Sequence, residues 1–600
     1  MAEGGNRSST APGPGTGGAP PRRSLFGSSA WRSLAIYAAL PLVVGISALA
    51  TVGGSLGPVV SYFPTAAVDV SYSFLRMAAA YGLSLAFALA YGYYAATRRT
   101  GERVMIPLLD ILQSVPILGF FPVAIIFFAS LTPGSWPGTN FASVFLIFTS
   151  MSWNMVFGVY ESLKTLPGEL KEAAATFRVR GWLLFRRVLY PATINRLVYN
   201  SVLSWTAGWF FLVEAEIFTT NSSTGAQVLP GIGSYLYFAS LHHDISQFLA
   251  GIIVLVIVIA ALDFALWRPL GKWAERFRYD TSPSGEGESG APAGGATAGP
   301  NPFRRAAAYV TRGVRTGVTR ISTPFVQLAA ITVRPAGPDS RRREWFGYVG
   351  IGAILVVAWL MVIAIGVGLF DVFTGPILPG VLNQIKLLPL AMGASALRVV
   401  AAYALCLSVS LPLAIYFARR GSGSRVGMPI VEVVASFPAT ALFPVIIFEL
   451  IPYISAEGAA VLMLMTGMIW YLFFNVLSGI RGLPPDLEEA ARSFGVRGRA
   501  FLSRVLLPGI FPALITGSIT AFGGGWNTLI VAEYLHGSGS QTLNLFGVGQ
   551  AIDVGYAMPN HDGWPLMAAA VLTLVVTVVA INEVIWKPLY RRAVEKYRYD

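Results

Sequence analysis

Long apolar stretches alternate with short polar ones along most of this chain. They fall at about 32–53, 77–97, 112–131, 141–160, 197–218 and 247–267. They recur at about 346–370, 397–418, 434–452, 459–480, 514–533 and 566–586. A helix needs about 20 apolar residues to cross a bilayer. The pattern therefore predicts an all-α polytopic membrane protein with about twelve transmembrane helices. Pro116 and Pro122 interrupt the third stretch, and Pro438 and Pro444 the ninth. A proline inside a helix removes a hydrogen bond and clashes with the preceding turn, so breaks are expected there.

The two series of six are copies of one another. SFLRMAAAYGLSLAFALA around Arg76 parallels SALRVVAAYALCLSVSLP around Arg398, and TSMSWNMVFGV parallels TGMIWYLFFNV. GWFFLVEAE at 208–216 parallels GWNTLIVAE at 525–533. Each half holds an even number of predicted helices, so both enter the membrane from the same side. The repeat is parallel, and it implies a pseudo-two-fold axis along the membrane normal with a route between the halves.

A polar loop is repeated with the helices. Residues 166–191 read LPGELKEAAATFRVRGWLLFRRVLYP, and 483–508 read LPPDLEEAARSFGVRGRAFLSRVLLP. Pro167 and Pro484 suit a first helical turn. Glu169, Asp486 and Glu488 favour its positive end. Leu170, Ala173, Ala174 and Phe177 share one helical face, as do Leu487, Ala490, Ala491 and Phe494. Each loop is expected to hold a short amphipathic helix whose two alanines admit a partner closely, with Glu172 and Glu489 off that stripe. Gly495 can cap the second helix in the left-handed conformation at no steric cost. Arg178 stands at the matching place, so the first helix should run on toward Gly181 or end with about 1 kcal/mol of strain.

The chain has 600 residues, 54% hydrophobic and 12% charged, with a net charge of +13. About 25% charged residues is usual in soluble proteins. The basic residues cluster in alternate loops, at Arg98–Arg103, Lys164–Arg187 and Arg268–Arg278, then at Arg419–Arg425, Arg481–Arg504 and Lys587–Arg598. This is the positive-inside pattern. It explains the charge by topology, without a nucleic-acid partner, and places both termini, the repeated loops and the linker in the cytoplasm of a cell (inner or plasma) membrane protein. Residues 1–24, rich in Gly, Pro and Ser, read as a disordered tail. The first half then spans 25–280, a flexible basic linker 281–344, and the second half 345–600. The linker's basic part, 303–344, suits an anionic lipid surface or solvent equally. The single cysteine, Cys406, lies in a predicted helix as a packing residue.

The loop residues resemble the EAA loop of ABC-importer permeases. Glu172-Ala173-Ala174 and Glu489-Ala490-Ala491 match it, with Gly495, Gly498 and Gly181 nearby and Val188, Pro191, Val505 and Pro508 beyond. Arg178 and Tyr190 depart from the pattern. The resemblance covers both halves, most closely the nitrate/sulfonate/taurine branch. It implies a type I ABC-importer fold with both permease halves fused in one chain. It also implies two coupling helices seated in two copies of a cytoplasmic ATPase, an extracytoplasmic solute-binding protein, and a small anionic solute such as nitrate, a sulfonate or taurine. The chain has no GxxxxGKS or GxxxxGKT phosphate loop, so ATP and Mg are expected in the partner ATPase, with no cofactor or catalytic site here. A secondary transporter with parallel repeats, or a scaffold that recruits an ATPase without moving solute, are the rival readings.

Polar residues within the apolar segments are candidates for the translocation pathway. Glu216 and Glu533 follow Trp209 and Trp526 at matching positions, near the outer ends of their helices. They read either as a polar rim that meets solute or as hydrogen-bonded struts for the next loop. Arg76 and Arg398 begin their predicted spans on the outer side, as interfacial anchors or as partners of outer carboxylates or of solute. Glu214 faces Val531 in the alignment of halves, and Asn154 faces Tyr471; such asymmetric positions are where an asymmetric solute would be read. His242, His243, His536 and His561 lack ligand-like spacing, so no metal site is expected.

Overall fold

Asp69, Ser71 and Ser73 dilute the hydropathy of residues 63–76, yet in the computed structural model that stretch is already helix. The first long helix, α1 (Phe63–Thr97), begins well before the apolar stretch at 77–97, and Arg76 lies in its interior. The structure describes residues 57–131, 136–179, 181–221, 228–277, 378–419, 427–428, 431, 434–534, 545–558 and 562–597. The tail, the linker, the predicted spans at 32–53 and 346–370, His536 and His561 lie outside these.

In the first half α2 (Arg99–Ser114) is followed by a 3-10 turn at Ile117–Phe120 and by α3 (Phe121–Leu131). The expected break thus falls at Val115-Pro116, where the extended backbone that precedes and includes a proline ends the helix. Next come α4 (Trp136–Lys164), the loop helix α5 (Gly168–Thr176), α6 (Tyr190–Asn221), α7 (Ile232–Leu241) and α8 (Ile245–Leu262). In the second half α9 (Pro379–Arg419), α10 (Ile451–Arg481), the loop helix α11 (Pro485–Ser493), α12 (Phe511–Tyr534), α13 (Val548–Ala557) and α14 (Trp564–Ile581) repeat α1 and α4–α8. Ser455, at φ 63°, interrupts α10, and its Oγ accepts from Gly458 N–H to restart the helix. Among the described residues six helices are long and apolar enough to cross a membrane, seven if Gly498–Gly509 and α12, bent by 65°, form one span.

Each half is built on a long central helix. α4 packs lengthwise on α1 and α6, and α10 on α9 and α12. The same side-chain contacts recur. Tyr81 Oη donates to Ser201 Oγ at 3.0 Å, and Tyr403 Oη meets Ser518 Oγ at 2.7 Å. Ser84 Oγ donates to the Phe148 carbonyl, while at the matching place Cys406 Sγ lies 3.6 Å from the Met465 carbonyl. The cysteine is fully buried and takes the place of a serine in this helix-to-helix contact.

Some elements were not predicted. α7 and α13 have ten residues each, too few to register as spans. Each starts at a repeated Gly-x-Gly, Gly231–Gly233 and Gly547–Gly549, the signal that betrays them in the sequence. A Cβ on Gly231 would lie 2.2 Å from Glu216 Oε1, and one on Gly547 2.2 Å from the Glu533 carboxyl carbon. These positions need glycine because a carboxylate is pressed against the backbone there.

Candidate functional site

The carboxylates that press on those glycines are fixed inside each half. Glu216 and Glu533 are fully buried. Glu216 accepts from Arg76 Nη1 at 2.6 Å, Ser73 Oγ at 2.7 Å and Gly233 N–H at 2.8 Å. Glu533 accepts from Arg398 Nη1 at 2.6 Å, Ser395 Oγ at 2.7 Å and Gly549 N–H at 2.8 Å. Ser73 and Ser395 each also accept the N–H of the intervening residue, Ile232 or Val548. One Arg–Glu–Ser lock thus holds the free backbone donors at the start of α7, and another those of α13. The rim reading of Arg76, Glu216, Arg398 and Glu533 is therefore replaced by the strut reading. The locks differ in one partner. Arg76 Nε donates to Asn140 Oδ1, whereas Arg398 Nε and Nη2 bracket Glu457, each at 2.6 Å.

Of the nine residues singled out for the pathway, seven are buried in this structure, Trp209, Glu214 and Trp526 with the four above. Asn154 and Tyr471 are exposed. The faces of α6 and α12 toward the other half change character along their length. On α6, Phe210 packs edge-on against Phe443 and its carbonyl accepts from Thr440 Oγ1, both of the other half. On α12, Asn527 Oδ1 accepts from Leu118 N–H of the first half at 3.3 Å. Farther from the loop helices, Phe218 stacks on Tyr534 with centroids 4.2 Å apart. Toward the loop helices the same faces carry Tyr199, Leu203 and Thr206 on α6 and Thr516, Thr520 and Gly523 on α12, all exposed. The halves thus touch at the far ends of α6 and α12 and part toward the loop-helix end.

The two loop helices end alike. Pro167 and Pro484 stand just before the first turn, as N-caps. At the other end Val179 N–H bonds to the Ala174 carbonyl and Arg178 N–H to that of Ala175; Val496 and Gly495 do the same to Ala491 and Arg492. This is the Schellman cap. Arg178 has φ 54° and Gly495 φ 69°. Of the two expectations for the first helix, the strained ending holds. A Cβ on Gly495 would meet nothing within 4 Å, so only backbone strain separates the copies. Arg178→Gly should stabilise its cap by about 1 kcal/mol and Gly495→Arg weaken the other by as much, read as about five-fold opposite changes in amide exchange at Val179 and Val496. Unchanged exchange in both would remove the strain.

The predicted apolar stripe splits. Ala174 and Ala491 are buried against their own chain, and Leu170 and Leu487 are half-buried. Ala173, Ala490 and the acidic Glu172 and Glu489 are exposed; Phe177 is 79% and Phe494 85% exposed. The correction follows from capping, because the Schellman turn folds Val179 and Val496 back under the helix and fills the Ala174 or Ala491 side. A hollow beside α11 is lined by Ala490, Phe494, Val496 and Arg504 among others. Gly498 follows at φ 56°, and Gly181 opens the short helix after α5. At the same end Lys164 and Tyr160 bond to Glu102 at 2.6 and 2.7 Å and hold its carboxyl below the usual range.

Residues 82–266 and 410–583 each match the model of the binding-protein-dependent transport system inner membrane component. The chain belongs to this family. It is an inner-membrane component of a binding-protein-dependent transport system, with several helices long and apolar enough to cross a membrane. It is 26% identical over 165 residues to a putative ABC transporter permease of Methanocaldococcus jannaschii, covering 28% of this chain and 58% of the relative. It is 32% identical over 111 residues to a putative aliphatic sulfonates transport permease of Escherichia coli, 18% of this chain and 41% of the relative. A nitrate import permease of Synechococcus elongatus is 26% identical over 111 residues, 18% of this chain and 39% of the relative. The chain thus spans about half the length of these relatives. No solved structure matches it.

Proposed function

We propose that this permease supplies both membrane halves of an ATP-driven importer and engages two copies of a separate ATPase through α5 and α11. The observation that carries the reading is the pair of loop helices. They share one cap geometry, stand at the end where the halves part, and each thrusts an almost fully exposed phenylalanine outward. Exposed aromatic anchors beside small residues suit a partner groove. ATP and Mg would bind in the partner, and closure of two ATPase copies would draw α5 and α11 together. That motion would close the gap between α6 and α12 at the cytoplasmic end and release the Phe218–Tyr534 contact at the outer end. An external solute-binding protein would then deliver solute. In this reading 25–280 and 345–600 are the two halves, 1–24 and 281–344 are cytoplasmic tail and linker, and both termini are cytoplasmic. The relatives' printed solutes, nitrate and sulfonates, support a small solute that carries a negative group.

Proteoliposomes holding the chain, the ATPase and the binding protein test this. Solute uptake is expected only with ATP inside and to persist when ionophores collapse all ion gradients. Uptake that follows an ion gradient with no ATPase bound would overturn the proposal in favour of a secondary transporter; ATP hydrolysis without uptake would favour a scaffold.

A further inference from the structure

The stripe of α6 that meets the other half runs Phe210, Glu214, Phe218, one residue per turn. Phe210 and Phe218 both touch second-half side chains, so Glu214 sits between two contacts that seal the halves together. It is 1% exposed, and neither of its carboxylate oxygens has a hydrogen-bond partner. A buried polar group without a partner costs free energy, and a charged one far more. Val531, at the matching place in α12, is also 1% exposed. The architecture is thus satisfied by an apolar side chain here, and Glu214 adds cost without adding a structural contact.

The surroundings show what would satisfy it. Glu214 and Tyr534 of the other half act on one another electrostatically. Rings crowd the same place: Phe218 stacks on Tyr534 and lies 5.8 Å from Tyr556, and Tyr237 lies 5.8 Å from Phe448. A buried carboxylate without a partner among aromatic faces favours a positively charged group through ion pairing and cation–π attraction. Arg76 and Arg398, the arginines of the two locks, are paired with Glu216 and Glu533.

We propose that Glu214, with the Phe218–Tyr534–Tyr556 rings, is the solute-reading position of the pathway, and that it reads an ammonium group. The assignment rests on the importer reading and narrows it: the solute carries a positive group beside its negative one. When the far-end contacts part, an entering ammonium group gives the Glu214 carboxylate the partner it lacks in the closed arrangement. The symmetry of the halves is broken where an asymmetric solute must be oriented.

The test uses the full complex of chain, ATPase and binding protein in proteoliposomes. Four probes are compared: taurine and glycine betaine, which carry a cationic ammonium group, and ethanesulfonate and nitrate, which do not. Wild type is expected to take up at least one of the first pair in an ATP-dependent manner. Glu214→Val, which copies Val531, and Glu214→Gln, which keeps the shape without the charge, should each lower that uptake at least ten-fold while the thermal stability of the complex is kept or raised. Wild-type uptake by either variant, or no uptake of either ammonium-bearing probe, overturns the assignment. Uptake of nitrate or ethanesulfonate alone does so while leaving the importer intact, whereas uptake independent of ATP sinks the importer reading itself.

Discussion

Arg398→Leu is expected to destabilise the protein by about 3–5 kcal/mol, the cost of leaving a buried carboxylate unpaired. Glu533 is fully buried and would keep only Ser395 Oγ and Gly549 N–H. Glu457, 60% exposed, would return to solvent at little cost. Arg76→Leu should do the same to Glu216, since the first lock repeats the second atom for atom at the carboxylate. The double replacement Arg398→Leu with Glu533→Leu should recover much of the loss, because a buried pair is often no better than an apolar isostere. Thermal melting of the detergent-purified protein, followed by size exclusion, checks this. Equal melting of the single and double variants would show that the pair is not what holds α13 in place. The single variants should also lose uptake, because α7 and α13 sit where the halves meet.

Phe494→Ala is expected to leave melting unchanged, since the ring is 85% exposed, and to weaken ATPase association by about 2 kcal/mol, some thirty-fold, as loss of an aromatic anchor does. Phe177→Ala should act as strongly. The two loops differ at the cap, with Arg178 where the second has Gly495. In the structure both positions take the same left-handed turn and the same two cap bonds, so equal effects follow. The split of the apolar stripe also decides the best test position. A bulky residue at Ala491 would disturb the chain's own packing, whereas one at exposed Ala490 would block the partner alone. Binding of the ATPase to nanodisc-held chain, titrated for each variant, reads all three.

Much of the architecture was legible because membrane helices announce themselves by length and apolarity. The duplication made the two halves check one another. What escaped did so for definable reasons. The lower part of α1 is helical but carries Asp69, Ser71 and Ser73, so its hydropathy hid its start. α7 and α13 are shorter than a span, and only their paired Gly-x-Gly marks them. The Arg76–Glu216 and Arg398–Glu533 pairs join residues about 140 positions apart in sequence, and pairing at that distance is set by packing of α1 on α6 and α9 on α12, which periodicity does not encode. The split of the loop-helix stripe depends on where the chain turns after the cap, one residue beyond what the 3.6-residue pattern describes.

The central claim is that one chain presents two equivalent docking helices. Native mass spectrometry of the complex, released from detergent, tests it most directly. The account predicts one copy of this chain with two ATPase subunits, falling to one when Phe177 or Phe494 is replaced by alanine and Ala173 or Ala490 beside it by a bulky residue. Two copies of the chain with two ATPase subunits, or an unchanged stoichiometry in those variants, would contradict it.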